Sequence, residues 1–302
     1  MRRLFFRSPV TRLTLEPPAP QAGRAGLALV LIVRDEARHI GEWAAFHKLA
    51  GAAHVIAYDN GCSDGTVAEL RRVLGGALTV VPWAQKLREA ATGQEIHNQI
   101  LAYAHAVANF GARFRWMACV DADEFLVPVT GPDLPAALAG LEHCPQISLP
   151  WHNFGRNGHD GPPAGGVLEN YTRRAADPIS GARGVTNFKV VFDPVRVTAV
   201  KVHDFQTDGN SDTWNDRGER FSLRARATRG FYSVERIQLN HYYTRSGREL
   251  AAKIARGSNR SVEAARHAAR VWRNVANIEA AEVEDTLAVD YLARVGAPVP
   301  LL

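Results

Sequence analysis

Apolar and polar positions divide the chain into blocks of two kinds. Leu27 to Val33 is an unbroken apolar run, the pattern of a strand buried on both faces, and it stops at the polar turn Arg34-Asp35-Glu36. Ile40, Trp43, Phe46, His47 and Ala50 then recur at helical spacing, with Gly51 standing where a C-cap glycine would. A second apolar run over 54–58 ends at the loop from Asp59 to Thr66, and a helix is predicted over 67–74. Further on, the pattern predicts a strand over 78–83, a long helix over 94–110 and a strand over 116–120 that runs into Asp121-Ala122-Asp123-Glu124-Phe125. Strand-loop-helix units in series imply a parallel sheet with helices on both faces. Ligands of such sheets gather at the carboxyl ends of the strands, which here are acidic.

The texture changes after Pro128. A short helix is predicted over 134–141 and a strand over 146–150, followed by a stretch, 151–166, with five glycines that reads as functional loops. Residues 189–192 and 195–203 alternate as antiparallel strands do, 204–220 reads as a mobile polar loop, and 237–243 as a last strand. An Ala-, Arg- and Glu-rich helical region follows from Ser246. The expected organisation is an extended leader over 1–26, one domain over 27–257 and a helical tail over 258–302.

Composition narrows the class. With 302 residues, 46% hydrophobic and 22% charged, the chain is globular and long enough for a full core. Cys62, Cys119 and Cys144 are too scattered for a disulfide framework or a Cys-rich zinc site, and fit a reducing compartment. The longest apolar run is far short of the ~20 residues that cross a bilayer, and Arg7 and Pro9 break up any signal-type core. A cytoplasmic protein is expected, with peripheral contact to the inner membrane face as an alternative. The net charge of +5 favours anionic partners. Arg217, Arg220, Arg224, Arg226 and Arg229 read either as a solvated loop or as a patch for an acidic acceptor or lipid surface. Nucleic acid is excluded as a partner, because no recognition motif or basic-aromatic stripe is present.

Two loops carry the candidate chemistry. Asp121 and Asp123, at i and i+2 beside a strand end, can hold a divalent cation and through it a diphosphate; a solvated acidic turn is the alternative. In the Asp59 loop, Ser63, Asp64 and Thr66 are explained as caps of the next helix, which leaves Asp59 as the ligand candidate.

Several motifs then agree in order and spacing. Arg34-Asp35-Glu36, Glu42-Trp43-Ala44-Ala45-Phe46-His47, the loop from Asp59 to Thr66, Asp121 to Phe125, Trp151 to His159 and Leu239-Asn240-His241-Tyr242-Tyr243 follow one another. In this the chain resembles the glycosyltransferase family 2-like proteins, in the branch related to family 92 and the former domain of unknown function 23. Asp35 departs from that pattern, which has Asn there.

The resemblance implies an α/β fold of the GT-A type: a Rossmann-like, mostly parallel sheet flanked by helices, an acceptor-side antiparallel part and a helical C-terminal tail. It implies sugar transfer from a nucleotide-diphosphate donor, usually a UDP-sugar, to a glycan or glycolipid with Mn²⁺ or Mg²⁺ as cofactor. On that carry-over Arg34, Glu36, Asp59, Asn98, Asp121 and Lys189 serve the nucleotide sugar, with Arg245 as a further cation for the diphosphate. Asp121 and Asp123 serve the metal, with His203 as first and His241 as second choice for a further ligand; a structural histidine is the alternative for each. Trp151, Phe154 and His159 are acceptor candidates, the first two equally readable as core. For an inverting transferase the base candidates are Asp160 and then Glu169, with Asp160 also readable as a turn residue. An inactive nucleotide-sugar-binding scaffold is the alternative function, and the presence of both Asp121 and Asp123 argues against it.

Overall fold

The computed structural model describes residues 9–256 and 264–301. The first eight residues of the expected leader, and the boundary expected at 257–258, lie outside the described residues. In chain order the elements are β1 (Leu13–Thr14), β2 (Leu27–Val33), α1 (Ile40–Leu49), β3 (Ala52–Asp59), α2 (Thr66–Leu74), β4 (Leu78–Pro82), α3 (Asn98–Phe110), β5 (Trp116–Cys119), β6 (Glu124–Pro128) and α4 (Leu134–Leu138). There follow β7 (Gln146–Asn153), α5 (Val167–Asn170), β8 (Arg173–Ala175), β9 (Phe188–Phe192), β10 (Val197–Val200), β11 (Phe205–Thr207), β12 (Thr213–Trp214), β13 (Arg220–Phe221) and β14 (Ile237–His241). The last are α6 (Gly247–Arg256), α7 (Ala264–Glu279), β15 (Glu282–Glu284) and α8 (Leu287–Arg294).

Four strands form a parallel block in the order β4-β3-β2-β5. The sheet continues through β9, antiparallel to both β5 and β7, and on to β12 and β13. β14 runs parallel to β7 and antiparallel to β6. A Rossmann-like half thus passes into a half with antiparallel strands, the α/β architecture expected of the GT-A type.

The uninterrupted apolar run of β2 follows from its two buried faces. Leu27, Leu29, Leu31 and Val33 enter a core with residues of α1, α2, α4 and α8. Ala28 and Val30 enter a second core with residues of α3 and β10, as the two-residue strand period requires. α1 stops at Gly51, whose φ of 87° suits glycine, and a Cβ there would stand 2.8 Å from Pro135 Cδ.

Several boundaries move. α3 begins at Asn98, because residues 95 and 96 bridge to Arg88 and Val10 instead. β7 runs on to Asn153, which takes Trp151 out of the glycine-rich loop and into the sheet. The polar segment 204–220 holds β11 and β12 rather than a mobile loop, since its polar groups turn inward. Gln146 Nε2 donates to the carbonyls of Phe205 and Asp212 at 2.9 and 2.7 Å, and buried Asp216 accepts the Arg236 amide at 2.7 Å.

The arginine patch is largely neutralised within the chain. Arg217, Arg220 and Arg229 pair with Glu219, Asp212 and Asp177, and Arg226 donates to the His203 carbonyl. The described segments nearest each end also pack inward. β1 pairs with β10, Leu13 and Leu15 rest on the second core, and Arg24 grips both carboxylate oxygens of Asp193 at 2.6 and 2.8 Å. β15 pairs with β8, while Tyr291 and Leu292 are fully buried, the Tyr291 ring 5.6 Å from that of Phe46. Among the described residues no helix is long and apolar enough to cross a membrane.

Candidate active site

The Asp121–Asp123 turn is stationed from behind by α1. Trp43 Nε1 donates to the Glu124 carbonyl at 2.8 Å, and the Leu126 amide donates to His47 Nε2 at 3.2 Å. His47 Nδ1 in turn donates to the Trp43 carbonyl, and burial pushes its pKa down to about 3, so the ring stays neutral in that tautomer. The Trp43 and His47 side chains therefore fix the first residues of β6, just after the two aspartates.

Asp121 accepts from Lys189 Nζ at 2.9 Å and from Gln99 Nε2 at 3.0 Å. Lys189 is 2% exposed and also pairs with buried Glu124 at 3.2 Å, whose Oε2 accepts the Asp121 amide at 2.8 Å. Continuing the β5–β9 register from Ala118↔Val191 sets Lys189 level with Val120, one residue short of Asp121. Burial opposes the Lys189 charge, but Asp121 and Glu124 hold its pKa well above the usual value.

Asp123 is placed by β14. The Tyr242 amide donates to the Asp123 carbonyl at 2.8 Å, and the register sets His241 opposite Glu124 on one side and Asn153 on the other. Asn153 Nδ2 donates to the Val185 carbonyl at 2.6 Å, which orients the amide so that its Oδ1 accepts His241 Nδ1 at 2.8 Å. His241 is buried and its pKa falls to about 3, burial outweighing the pull of Asp123. With the proton on Nδ1, the Nε2 lone pair faces Asp123 Oδ1 at 3.7 Å. Asp123 itself stays below the usual carboxylate range despite burial, because the Lys253 ammonium and the Arg245 guanidinium stand beside it. Two acceptors facing each other with no proton between them is an arrangement that a cation completes. His241 Nε2 and Asp123 Oδ1 are therefore donors that could hold a divalent cation, with Asp121 in the same turn.

A cleft of about 350 Å³ opens beside Asp123, with Asp35, Glu36, Asp64, Arg245 and Lys253 on its walls. Arg245 donates to Glu36 Oε2 at 2.7 Å and to the Ala122 carbonyl at 3.2 Å. Lys253 Nζ donates to Asp123 Oδ2 at 2.7 Å. Asp35, at a φ of 50°, accepts the Ser63 amide at 2.7 Å, and Asp64 accepts the amides of Ala37 and Thr66. Asp35, Cys62 and Asp64 each offer a ligand atom within 4.8 Å of the others.

Residues 31–270, well over half of the chain, match the family model for glycosyltransferase family 92. The chain belongs to that family. Curated family 92 proteins of Oryza sativa subsp. japonica and Ricinus communis are 27% and 24% identical to it over 50% and 53% of its length. It spans about a quarter of the length of these relatives, 25% and 29%. Among solved structures, a complex of glucosyl-3-phosphoglycerate synthase from Mycobacterium tuberculosis with Mn²⁺, UDP-glucose and phosphoglyceric acid is 16% identical with a TM-score of 0.32, covering 58% of this chain and 59% of that one. A mycobacterial protein reaches 16% and 0.34, covering 92% and 76%. Likenesses of this extent add nothing to the assignment, which rests on the family match.

In this family 92 chain the residues singled out by sequence are distributed unevenly. Glu36 and Asp123 line the cleft, His241 faces Asp123 at 3.7 Å, and Asp121, in the same turn, is held by Lys189 and Gln99. Asp59, at the end of β3, accepts the Cys62 amide at 2.7 Å, and Asn98 reaches the same loop through Asn60 Oδ1 at 3.2 Å. Arg34 projects beside Asp35 with its side chain 64% exposed. His203, first choice for the metal, has both ring nitrogens engaged, Nδ1 donating to the Phe188 carbonyl and Nε2 accepting from Asn187; His241 is the histidine at Asp123. Lys189 is a buried counter-ion of Asp121 and Glu124 rather than a diphosphate ligand on the cleft wall. Phe154 is buried and stacked on Tyr242 at 4.6 Å, leaving no face for an acceptor.

Trp151 lies 4.2 Å from the His241 ring, beside the candidate metal site. His159, Asp160 and Glu169 line no part of the cleft. The carbonyls of His159 and Asp160 receive the first amides of α6, and Glu169 accepts the Gly166 amide at 2.9 Å ahead of α5. Lys253, a single lysine within α6, was not singled out by sequence. Glu249 carried a readable signal, the Ser246-x-x-Glu249 capping box. Its pKa falls to about 2, since His39 and Ser246 hydrogen-bond the carboxylate more strongly than burial disfavours it.

Proposed function

We propose that this chain is a metal-dependent glycosyltransferase whose nucleotide-diphosphate sugar, taken here as a UDP-sugar, lies in the cleft at the carboxyl ends of β2, β3 and β5. The observation that carries the reading is the neutral His241 Nε2 facing the Asp123 carboxylate at 3.7 Å. Asp121, Asp123 and His241 would hold the divalent ion, which when bound neutralises charge on the departing diphosphate. Asn153 keeps His241 in the ligating tautomer, and Lys189 and Gln99 hold the Asp121 carboxylate in place. Arg245, fixed between Glu36 and the Ala122 carbonyl, adds a permanent positive charge below the same cleft.

The acceptor is a glycan or glycolipid hydroxyl and the course is inverting, with Trp151 the aromatic side chain retained for acceptor contact. The base is taken to be a carboxylate that lines the cleft, a lining to which Asp160 and Glu169 do not contribute. The test is release of UDP from a panel of UDP-sugars with and without Mn²⁺. Asp123→Asn is expected to lose Mn²⁺-stimulated turnover by about a hundredfold or more while remaining folded. Unchanged turnover in that variant contradicts the assignment.

A further inference from the structure

Two cations flank Asp123, and they are held in different ways. Arg245 has a left-handed φ of 49°, is 11% exposed at its side chain, and is fastened through its two terminal guanidinium nitrogens to Glu36 and the Ala122 carbonyl. Moving it would leave the Glu36 carboxylate, 17% exposed, without this partner. Lys253 is 37% exposed at the cleft wall, on a flexible stem ending in a compact charge. Its Nζ contacts Asp123 Oδ2 at 2.7 Å and the Tyr243 carbonyl at 3.0 Å, and lies 4.4 Å from the centre of the Tyr243 ring. The carboxylate it holds is one that the candidate cation site uses. An ammonium and a divalent ion on one carboxylate repel each other strongly at such separations.

We propose that Lys253 is an exchangeable counter-ion, neutralising Asp123 in the metal-free chain and turning its ammonium to the donor's diphosphate when a divalent cation takes that carboxylate. The inference rests on the donor-site reading above and adds a diphosphate ligand from α6. No covalent bond forms or breaks; one charge–charge contact is exchanged for another. Tyr243, through its carbonyl and ring face, stays within reach of the moving ammonium. Arg245 remains in place and supplies the charge that does not move. Lys253 and the metal therefore compete when no nucleotide is present and act together when it is, so a single substitution has opposite effects in two binding measurements.

The experiment is titration calorimetry on the full chain, with Mn²⁺ alone and then with UDP or GDP at saturating Mn²⁺. Lys253→Met keeps an unbranched apolar stem against Tyr243 and removes the charge. It is expected to bind Mn²⁺ alone about threefold or more tightly than wild type, and the nucleotide about tenfold or more weakly. Lys253→Arg is expected to keep nucleotide affinity within about threefold, because the charge remains. Unchanged nucleotide affinity in Lys253→Met, or Mn²⁺ affinity that stays level or falls, overturns the exchange. Thermal unfolding at the wild-type temperature shows that the variant is folded. Asp123→Asn separates the two claims. If it still binds Mn²⁺, the donor-site reading fails, and the exchange with it. If it loses Mn²⁺ while Lys253→Met shows no opposite shifts, only the exchange fails.

Discussion

Three histidines, His47, His152 and His241, are buried and held neutral, each with its pKa lowered to about 3 chiefly by burial. In the unfolded chain they take up protons near pH 6.5. Below that pH the unfolded state binds protons that the folded state refuses, so the stability present above 6.5 is lost as pH falls toward 3. Each contributes up to about 1.4 kcal/mol per pH unit. Glu42 and Glu124, raised by burial, act in the opposite sense, because the folded state keeps their protons above the unfolded value. The histidines outnumber them. The melting temperature is therefore expected to fall between pH 6.5 and 4.5, measured by calorimetry; a level or rising value contradicts these assignments. Sequence put His203 ahead of His241, because what separates the two, the partner on each ring nitrogen, is not visible in it. Asn153 lies far from His241 in sequence and meets it only through the β7–β14 register.

At the scale of elements, α1 shows what periodicity reveals and what it hides. The spacing of Ile40, Trp43, Phe46 and His47 gives a helix, and a helix is found, but one buried nearly all round, with Gly41, Glu42 and Ala44 buried as well. That Trp43 and His47 also hydrogen-bond β6, and that Glu42 accepts the Val167 and Leu168 amides at 2.6 and 3.1 Å, depends on tertiary neighbours. Trp43→Phe removes the donor to the Glu124 carbonyl while keeping an aromatic ring. It is expected to lower stability by about 1–3 kcal/mol, read from urea unfolding; no change would show that the bond does not hold β6. The start of α3 was misplaced for a related reason. Its first predicted turn has helical composition, but the backbone of residues 95 and 96 is taken by Arg88 and Val10.

Over the whole molecule, the parallel half was legible because β2, β3 and β5 are apolar runs ending in acidic turns, and the sheet puts those ends side by side. The second half was less legible, since its polar segments are buried through main-chain hydrogen bonds, which composition reads as exposure. The net charge of +5 also looks different once the fold is known. Arg217, Arg220 and Arg229 are matched by nearby acids, whereas Arg245, Lys189 and Lys253 gather around the aspartates of the cleft. Cations and carboxylates interleaved in this way suit a metal and a diphosphate together. The central claim is that His241, with Asp121 and Asp123, holds the metal. Pulsed electron paramagnetic resonance of the Mn²⁺-loaded chain tests it directly. An imidazole nitrogen coupling is predicted in the wild type and in His203→Ala, and its loss in His241→Ala. A wild-type spectrum without nitrogen coupling, or a coupling that survives His241→Ala, would contradict the account.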